Sequence, residues 1–272
     1  MIFLQDQTGS LVSLQAPAKR IVSLVPSQTE LLFDLGLDAE VVGITRFCIE
    51  PRAWFRSKTR IGGTKDVSLE KVAALKPDLI LANREENVKE QVKAMRQICP
   101  VWTSDVKDLR GAMDMIESVG VLCGKQAVAS DLRADIARKF SSSSPIPEKP
   151  VCLYLIWKDP LMTVGGDTFI HDMIEKAGFE NITAHLSRYP SLTESDLRKM
   201  KPALVLLSSE PYPFREKHLS AFRTMFPGAS VHLADGMYFS WYGSRLRTAP
   251  DYFSRLKSSI PPAGRRWDGI SV

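Results

Sequence analysis

The sequence lacks any run approaching the ~20 apolar residues that a membrane-spanning helix needs, so no part of it reads as a span. Its four cysteines, Cys48, Cys99, Cys123 and Cys152, include no C-x-x-C pair, which excludes a readable zinc knuckle or redox motif. Buried, reduced thiols are the expectation, and a cytosolic setting fits them. Histidine is equally sparse. His171, His185, His218 and His232 show neither H-x-H nor H-x-x-x-H spacing, so no metal site is expected. No G-x-S-x-G elbow, phosphate-cradling G-x-x-x-x-G-K-[ST] or G-x-G-x-x-G turn is present, and no carboxylates can be paired for acid–base work, which leaves catalysis without a visible reactive group. Dense Lys/Arg blocks are missing as well. The 36 basic against 31 acidic side chains give +5 without local concentration, so nucleic acid is not an expected partner, whereas an anionic small ligand or an acidic surface could use the excess. The opening Met1-Ile2-Phe3-Leu4-Gln5-Asp6 shows no secretory leader; as given it points to the cytoplasm, with an envelope protein whose leader was replaced by Met1 as the alternative.

What the sequence does have is a repeated alternation of short apolar runs and amphipathic stretches, which predicts an α/β fold. A hairpin is expected over Ile2–Leu4 and Leu11–Leu14. Ile21–Val25 reads as a buried parallel strand that stops at Pro26, and Ser27 with Glu30 has the spacing of a capping box ahead of a helix ended by Gly36. Further strands are expected at Val41–Ile44, Leu79–Leu81 and Val101–Trp102, with a helix over Leu109–Leu122 ended by Gly124. From Gln126 to Phe140 the apolar positions Val128, Leu132, Ile136 and Phe140 mark a long helix. Ser141–Ser144 with Pro145, Pro147 and Pro150 then read as a linker.

The pattern resumes after the linker. Val151–Ile156 repeats the strand at Ile21, and Leu197–Met200, Lys201-Pro202 and Ala203–Leu207 repeat the helix, Lys76-Pro77 and strand of the first half in nearly the same register. We read a duplicated lobe. The expected organisation is an N-terminal lobe over 1–125, a connecting helix and linker over 126–150 and a C-terminal lobe over 151–272. Two such lobes joined by one helix would hold a ligand in a cleft, beyond the carboxyl ends of their strands. The loops at those ends are aromatic and cationic: Arg46-Phe47-Cys48, Trp157-Lys158, and Met237 to Tyr242 with Arg245. Rings of this kind suit a large, flat, partly apolar guest, with Arg46, Arg84 and Arg245 as candidate contacts for its peripheral anionic groups. Gly165 and Gly166, ahead of a helix, are candidates to offer backbone N–H groups to a ligand. Trp54 and Trp102 are assigned to the core.

The runs Arg20-Ile-Val-Ser-Leu-Val-Pro-Ser-Gln-Thr-Glu30, Val42-Gly43-Ile44 and Leu69-Glu-Lys-Val-Ala-Ala-Leu-Lys-Pro-Asp-Leu-Ile80 resemble the cobalamin and ferric-siderophore class of substrate-binding proteins that serve ABC importers, and the similarity continues through Asn181-Ile182 and Lys201-Pro202. The resemblance implies two α/β lobes, a single connecting helix with little hinge motion, and a ligand held without covalent chemistry. It implies that Pro26, Ser27, Phe47 and Cys48 border the ligand, with Trp157, Trp241 and Tyr242 in the facing lobe. Glu70 matches a glutamate that meets the permease, and Glu194 stands beside the second such position, Ser195. Phe47 and Asn83 stand where cobalamin binders carry tyrosine and tryptophan. No tyrosine stands in the first-lobe cleft loops to hold a haem iron. The resemblance places such a protein in the periplasm or cell envelope. The function expected is therefore a non-enzymatic, monomeric binder of a metal chelate, without a cofactor of its own and with an ABC permease as partner. The alternatives are an enzyme acting on a chelate with the same fold, and a cytosolic relative or partner protein.

Overall fold

Residues 2–14 alternate in exposure, as an antiparallel hairpin with one covered face requires. In the computed structural model, which describes residues 1–142 and 148–260, strands β1 (Ile2–Gln5) and β2 (Leu11–Leu14) pair with Ile2 opposite Leu14, turning Val12 and Leu14 inward and leaving Leu11 and Ser13 outside. Five parallel strands follow: β3 (Ile21–Ser23), β4 (Val41–Ile44), β5 (Thr59–Arg60), β6 (Leu79–Asn83) and β7 (Val101–Ser104), in the order β5-β4-β3-β6-β7. Every residue of β3, β6 and β7 is buried, which is why these segments carry continuous apolar runs instead of alternation.

The crossovers between these strands carry α1 (Pro26–Asp34), α2 (Arg52–Ser57), α3 (Leu69–Ala74) and α4 (Lys89–Met95), and α5 (Leu109–Leu122) and α6 (Gln126–Ser141) follow β7. The capping box expected at Ser27 does not form. Val25 is the N-cap without a side-chain bond, because Pro26 at the first helical position supplies the start: its missing N–H is one the helix could not satisfy anyway. The stops at Gly36 and Gly124 do occur, each with the positive φ (72° and 67°) that an L side chain resists. In α6 the inward stripe is Ala129, Leu132 and Ile136. Val128, expected on it, is exposed, and Ala129 instead packs close to Gly120 of α5, where a β-carbon would overlap its methyl. Of the linker, Ser143, Ser144, Pro145 and Pro147 lie outside the described residues.

The second sheet is also parallel: β8 (Val151–Leu155), β9 (Glu180–Asn181), β10 (Leu204–Ser208) and β11 (Ser230–Ala234), in the order β11-β10-β8-β9. Its helices are α7 (Phe169–Lys176), α8 (Glu194–Lys199), α9 (Glu216–Met225), α10 (Met237–Ser240) and α11 (Ala249–Ser259). The order β9-β8-β10-β11 repeats β4-β3-β6-β7 strand for strand, the topological form of the repeat read from Lys76-Pro77 and Lys201-Pro202. Its core is built of Leu153, Leu155, Val205 and Leu207 against Leu197, Leu219 and Phe222.

The chain forms two compact units, Met1–Lys139 with Trp241–Arg247, and Phe140–Ser240 with the chain from Thr248. The segment Trp241–Arg247, expected with the C-terminal lobe, thus belongs to the first unit, where its 3₁₀ turn (Ser244–Arg247) packs on α1. Trp54 and Trp102 are buried in the same unit, as assigned. Among the described residues no helix is long and apolar enough to cross a membrane, and no three or more His, Cys, Asp or Glu side chains are grouped to hold a metal ion.

Candidate ligand-binding site

Because all strands of the first sheet run parallel, the loops after β3, β4, β6 and β7 gather at one edge, the place where α/β sheets bind ligands. The loop after β4 presents Arg46 and Phe47. The Phe47 ring is 49% exposed, the Arg46 guanidinium stands 5.2 Å over it, and the same guanidinium pairs with Asp66 at 3.0 Å. Cys48, two residues from Arg46, turns the other way. It is fully buried, receives the Thr29 hydroxyl at 3.0 Å and lies 3.2 Å from that of Thr45; burial pushes its thiol up to about 11. Cys48, expected at the ligand, is thus buried and anchors its loop to α1.

Asn83, also expected to touch ligand, is buried at the end of β6. Its amide donates to Ser104 O and Oγ (3.2 and 3.0 Å), and its oxygen accepts the N–H groups of Glu85 and Glu86 (2.8 and 3.0 Å). It shapes the turn from which Glu86 reaches Tyr242. Arg84 on that turn stays exposed and donates to Asp105 at 2.7 Å.

Trp241–Arg247 lies across the start of α1. The Tyr242 hydroxyl donates to Glu86 at 2.8 Å, and burial together with that carboxylate holds the phenol well above its usual range. Gly243 sits so near α1 that a β-carbon would come within 2.7 Å of the Ser27 carbonyl. Arg245 grips both oxygens of Glu30, Nε on Oε2 at 3.0 Å and Nη2 on Oε1, and its guanidinium stands 4.8 Å from the Trp241 ring. Burial raises the Glu30 carboxyl above its ordinary value, and Arg245 opposes that rise. Arg245, expected to answer an anionic ligand, is thus the counter-ion of Glu30, and Trp241 and Tyr242 are buried beside it. Ser27 is buried as well, whereas Pro26 is half-buried.

In the second unit the loop after β8 carries Trp157, 38% exposed, with Tyr212 edge-on at 5.7 Å. Tyr212 meets Phe214 at 4.8 Å and His218 at 5.7 Å, extending a row of rings from the end of β10 into α9. Sequence reasoning passed over Tyr212 and weighed His218 only as a metal ligand. The available signal was the run Pro211-Tyr212-Pro213-Phe214, two aromatics fixed by prolines directly beyond a buried strand. Gly165 and Gly166 have no N–H to spare: Gly165 donates to Arg188 O at 2.7 Å and Gly166 to Leu186 O at 3.0 Å. A β-carbon on either would overlap the backbone of Leu186 or Ala184, so both glycines serve close chain packing.

The sequence profile of the family described as periplasmic binding protein matches residues 21–227. The chain belongs to that family. An uncharacterized ABC transporter substrate-binding lipoprotein of Bacillus subtilis (strain 168) is 29% identical over 218 residues, 75% of this chain and 68% of the relative. A vitamin B12-binding protein of Vibrio vulnificus (strain YJ016) is 26% identical over 204 residues, 72% of this chain and 74% of the relative. Among solved structures, the periplasmic vitamin B12 binding protein of Vibrio cholerae superposes with a TM-score of 0.72 at 21% identity, covering 89% of this chain and 99% of that one. The family is one of binding proteins, and the alternative of an enzyme on the same fold is set aside.

Proposed function

We propose that this periplasmic binding protein family member binds a metal chelate, a corrinoid or a ferric siderophore, by non-covalent contact, and that it serves as the monomeric binding component of an ABC import system. The observation that carries the reading is the exposed aromatic ring at the carboxyl edge of each sheet, Phe47 in one and Trp157 with Tyr212 in the other, in a chain whose relatives include vitamin B12-binding proteins. Large exposed rings cost free energy unless a partner covers them, and they grip a macrocycle through its faces and edges. On the first unit Arg46 stands over Phe47, and Pro26 and Arg84 follow β3 and β6 at the same edge of the sheet.

Two exposed glutamates support the importer role. Glu70 stands in the first turn of α3 behind the Ser68 cap, and Glu194 in the first turn of α8 behind Thr193, with Arg198 at 3.2 Å. Both carboxylates also favour their helix starts electrostatically. The test of the binding reading is a thermal-shift and calorimetric panel of hydroxocobalamin and ferric siderophores. Ligand at a hundred times its Kd stabilises by ~2.7 kcal/mol, a shift of several degrees; complete indifference across the panel refutes the reading. Glu70→Ala with Glu194→Ala should leave chelate affinity unchanged and abolish stimulation of the reconstituted transporter's ATPase.

A further inference from the structure

The first unit leaves two strand edges open beside one cavity. The Asp6 N–H donates to Ser10 O at 2.8 Å, so by the alternation of an antiparallel ladder Val12 pairs toward β1 while the N–H and C=O of Leu11 and Ser13 point away from it. β7 ends its sheet, and the bond from the Ile80 N–H to Pro100 O at 3.0 Å turns the N–H and C=O of Val101 away from β6. None of these groups finds a hydrogen-bond partner among the described residues, although Val101 is only 3% exposed. Buried backbone groups are paired in nearly all native structures, so those of Val101 call for a partner from outside the chain. Open edges are ordinarily guarded by a lysine, a proline or a bulge. Leu11-Val-Ser-Leu14 and Val101-Trp-Thr-Ser104 carry none.

The cavity between these edges has a volume of about 330 Å³ and an apolar wall of Leu11, Val12, Ile98, Pro100 and Val101. Arg96 supplies its one charge, and its lining holds no carboxylate. The guanidinium is 40% exposed and reaches Asp6 at 3.5 Å and Ser10 Oγ at 3.3 Å, both through Nη2, which leaves its Nε and Nη1 side uncommitted. Asp6 does not depend on that contact, since its other oxygen accepts the Thr8 N–H, the Thr8 hydroxyl and the Ser10 N–H. The volume lies at the small end of ligand pockets, roughly 300–1,000 Å³, which suits a chain end and not a strand passing through. We infer that this slot takes the carboxyl-terminal end of a partner polypeptide, about three extended residues or roughly 10 Å of chain. The end adds a strand along the open edges of β2 and β7 and sets its carboxylate on the free side of Arg96. The site lies apart from the exposed rings Phe47 and Trp157 and is independent of what they bind.

The experiment pans the purified full chain against a library of peptides displayed with free, randomised carboxyl-terminal ends, then synthesises the enriched peptide as free acid and as C-terminal amide. The acid should bind at least about tenfold more tightly than the amide, and Arg96→Met should weaken the acid by about the same factor. Ser13→Pro removes an N–H that the hairpin does not use, so it should keep the parent's melting temperature and still lose about tenfold in affinity. Bound peptide should slow hydrogen exchange at the Val101 N–H at least about tenfold, as a new backbone hydrogen bond requires. No enrichment over the Ser13→Pro variant, equal binding of acid and amide, or binding that leaves Val101 unchanged each overturns the inference. So does a dimer of the parent that dissociates in Leu11→Lys, which would assign the edge to a second copy of the chain.

Discussion

Replacing Arg245 by Met keeps most of its length and removes its charge, leaving the Glu30 carboxylate without its bidentate partner. The two side chains are 16% and 17% exposed, so the pair lies between a wet surface bridge and a fully buried one. Breaking buried pairs costs about 3–5 kcal/mol and exposed ones under about 1, which brackets this change at ~2–4 kcal/mol once the lost guanidinium–Trp241 contact is included. The size of the loss should depend on pH. Burial already lifts the Glu30 carboxyl above its unfolded value, and Arg245 is the chief influence that lowers it, so the variant's carboxyl rises further. A carboxyl raised in the folded state contributes stability below its unfolded pKa and loses that contribution as pH climbs through the folded value. The destabilisation of Arg245→Met should therefore be largest near neutrality and shrink as pH falls toward the range where Glu30 takes up a proton. Thermal melts followed by circular dichroism from pH 7 down to pH 4.5 measure it, and adding Glu30→Gln should recover part of the loss at pH 7. A penalty identical at both ends of the range, with no recovery in the double variant, refutes the assignment of Arg245 as counter-ion to Glu30.

Gly166→Ala should destabilise the second unit by more than ~2 kcal/mol, because the new methyl meets the Ala184 backbone, which has no room to give; calorimetry of the variant checks this. Tyr242→Phe should cost ~1–3 kcal/mol in the first unit by leaving Glu86 without its phenol donor, read as a lower denaturant midpoint. Cys48 should resist a thiol reagent at pH 8 in the native protein and react at once in denaturant, since burial with a pKa of about 11 leaves ~0.1% thiolate; rapid native labelling at this residue would contradict the placement. Phe47→Ala and Trp157→Ala should each weaken chelate binding by about tenfold while moving the melting temperature little, measured by titration beside a melt.

The legible parts of the fold were those written in local chemistry. Continuous apolar runs gave β3, β6 and β10, and glycines able to take positive φ gave the ends of α1 and α5. The repeated Lys-Pro junction gave the second sheet's likeness to the first. The capping box at Ser27 failed because Pro26 occupies the position ahead of it and starts the helix by itself. The site was only half legible, for reasons of distance along the chain. Arg245 and Glu30 are 215 positions apart and Tyr242 and Glu86 156, so nothing local marks either as a pair. Asn83 and Cys48 have ligand-like chemistry, yet their polar atoms are taken up by neighbours distant in sequence, Ser104 of β7 and Thr29 of α1. Gly165 and Gly166 resemble an anion-binding turn in sequence; the backbone of Ala184, Leu186 and Ser187, in the turn beyond β9, that presses against them is invisible there.

The return of Trp241–Arg247 to the first unit has a consequence for how the chain is made. A ribosome that has released residues 1–139 has supplied every strand of the first sheet but not the residues that neutralise Glu30 and satisfy Glu86. About a hundred further residues must emerge first, which at ~5–20 residues per second amounts to ~5–20 s of translation. Until then the nascent first sheet has its ladders and its core but lacks the Arg245 and Tyr242 contacts, and a release at Ser240 would leave it so permanently.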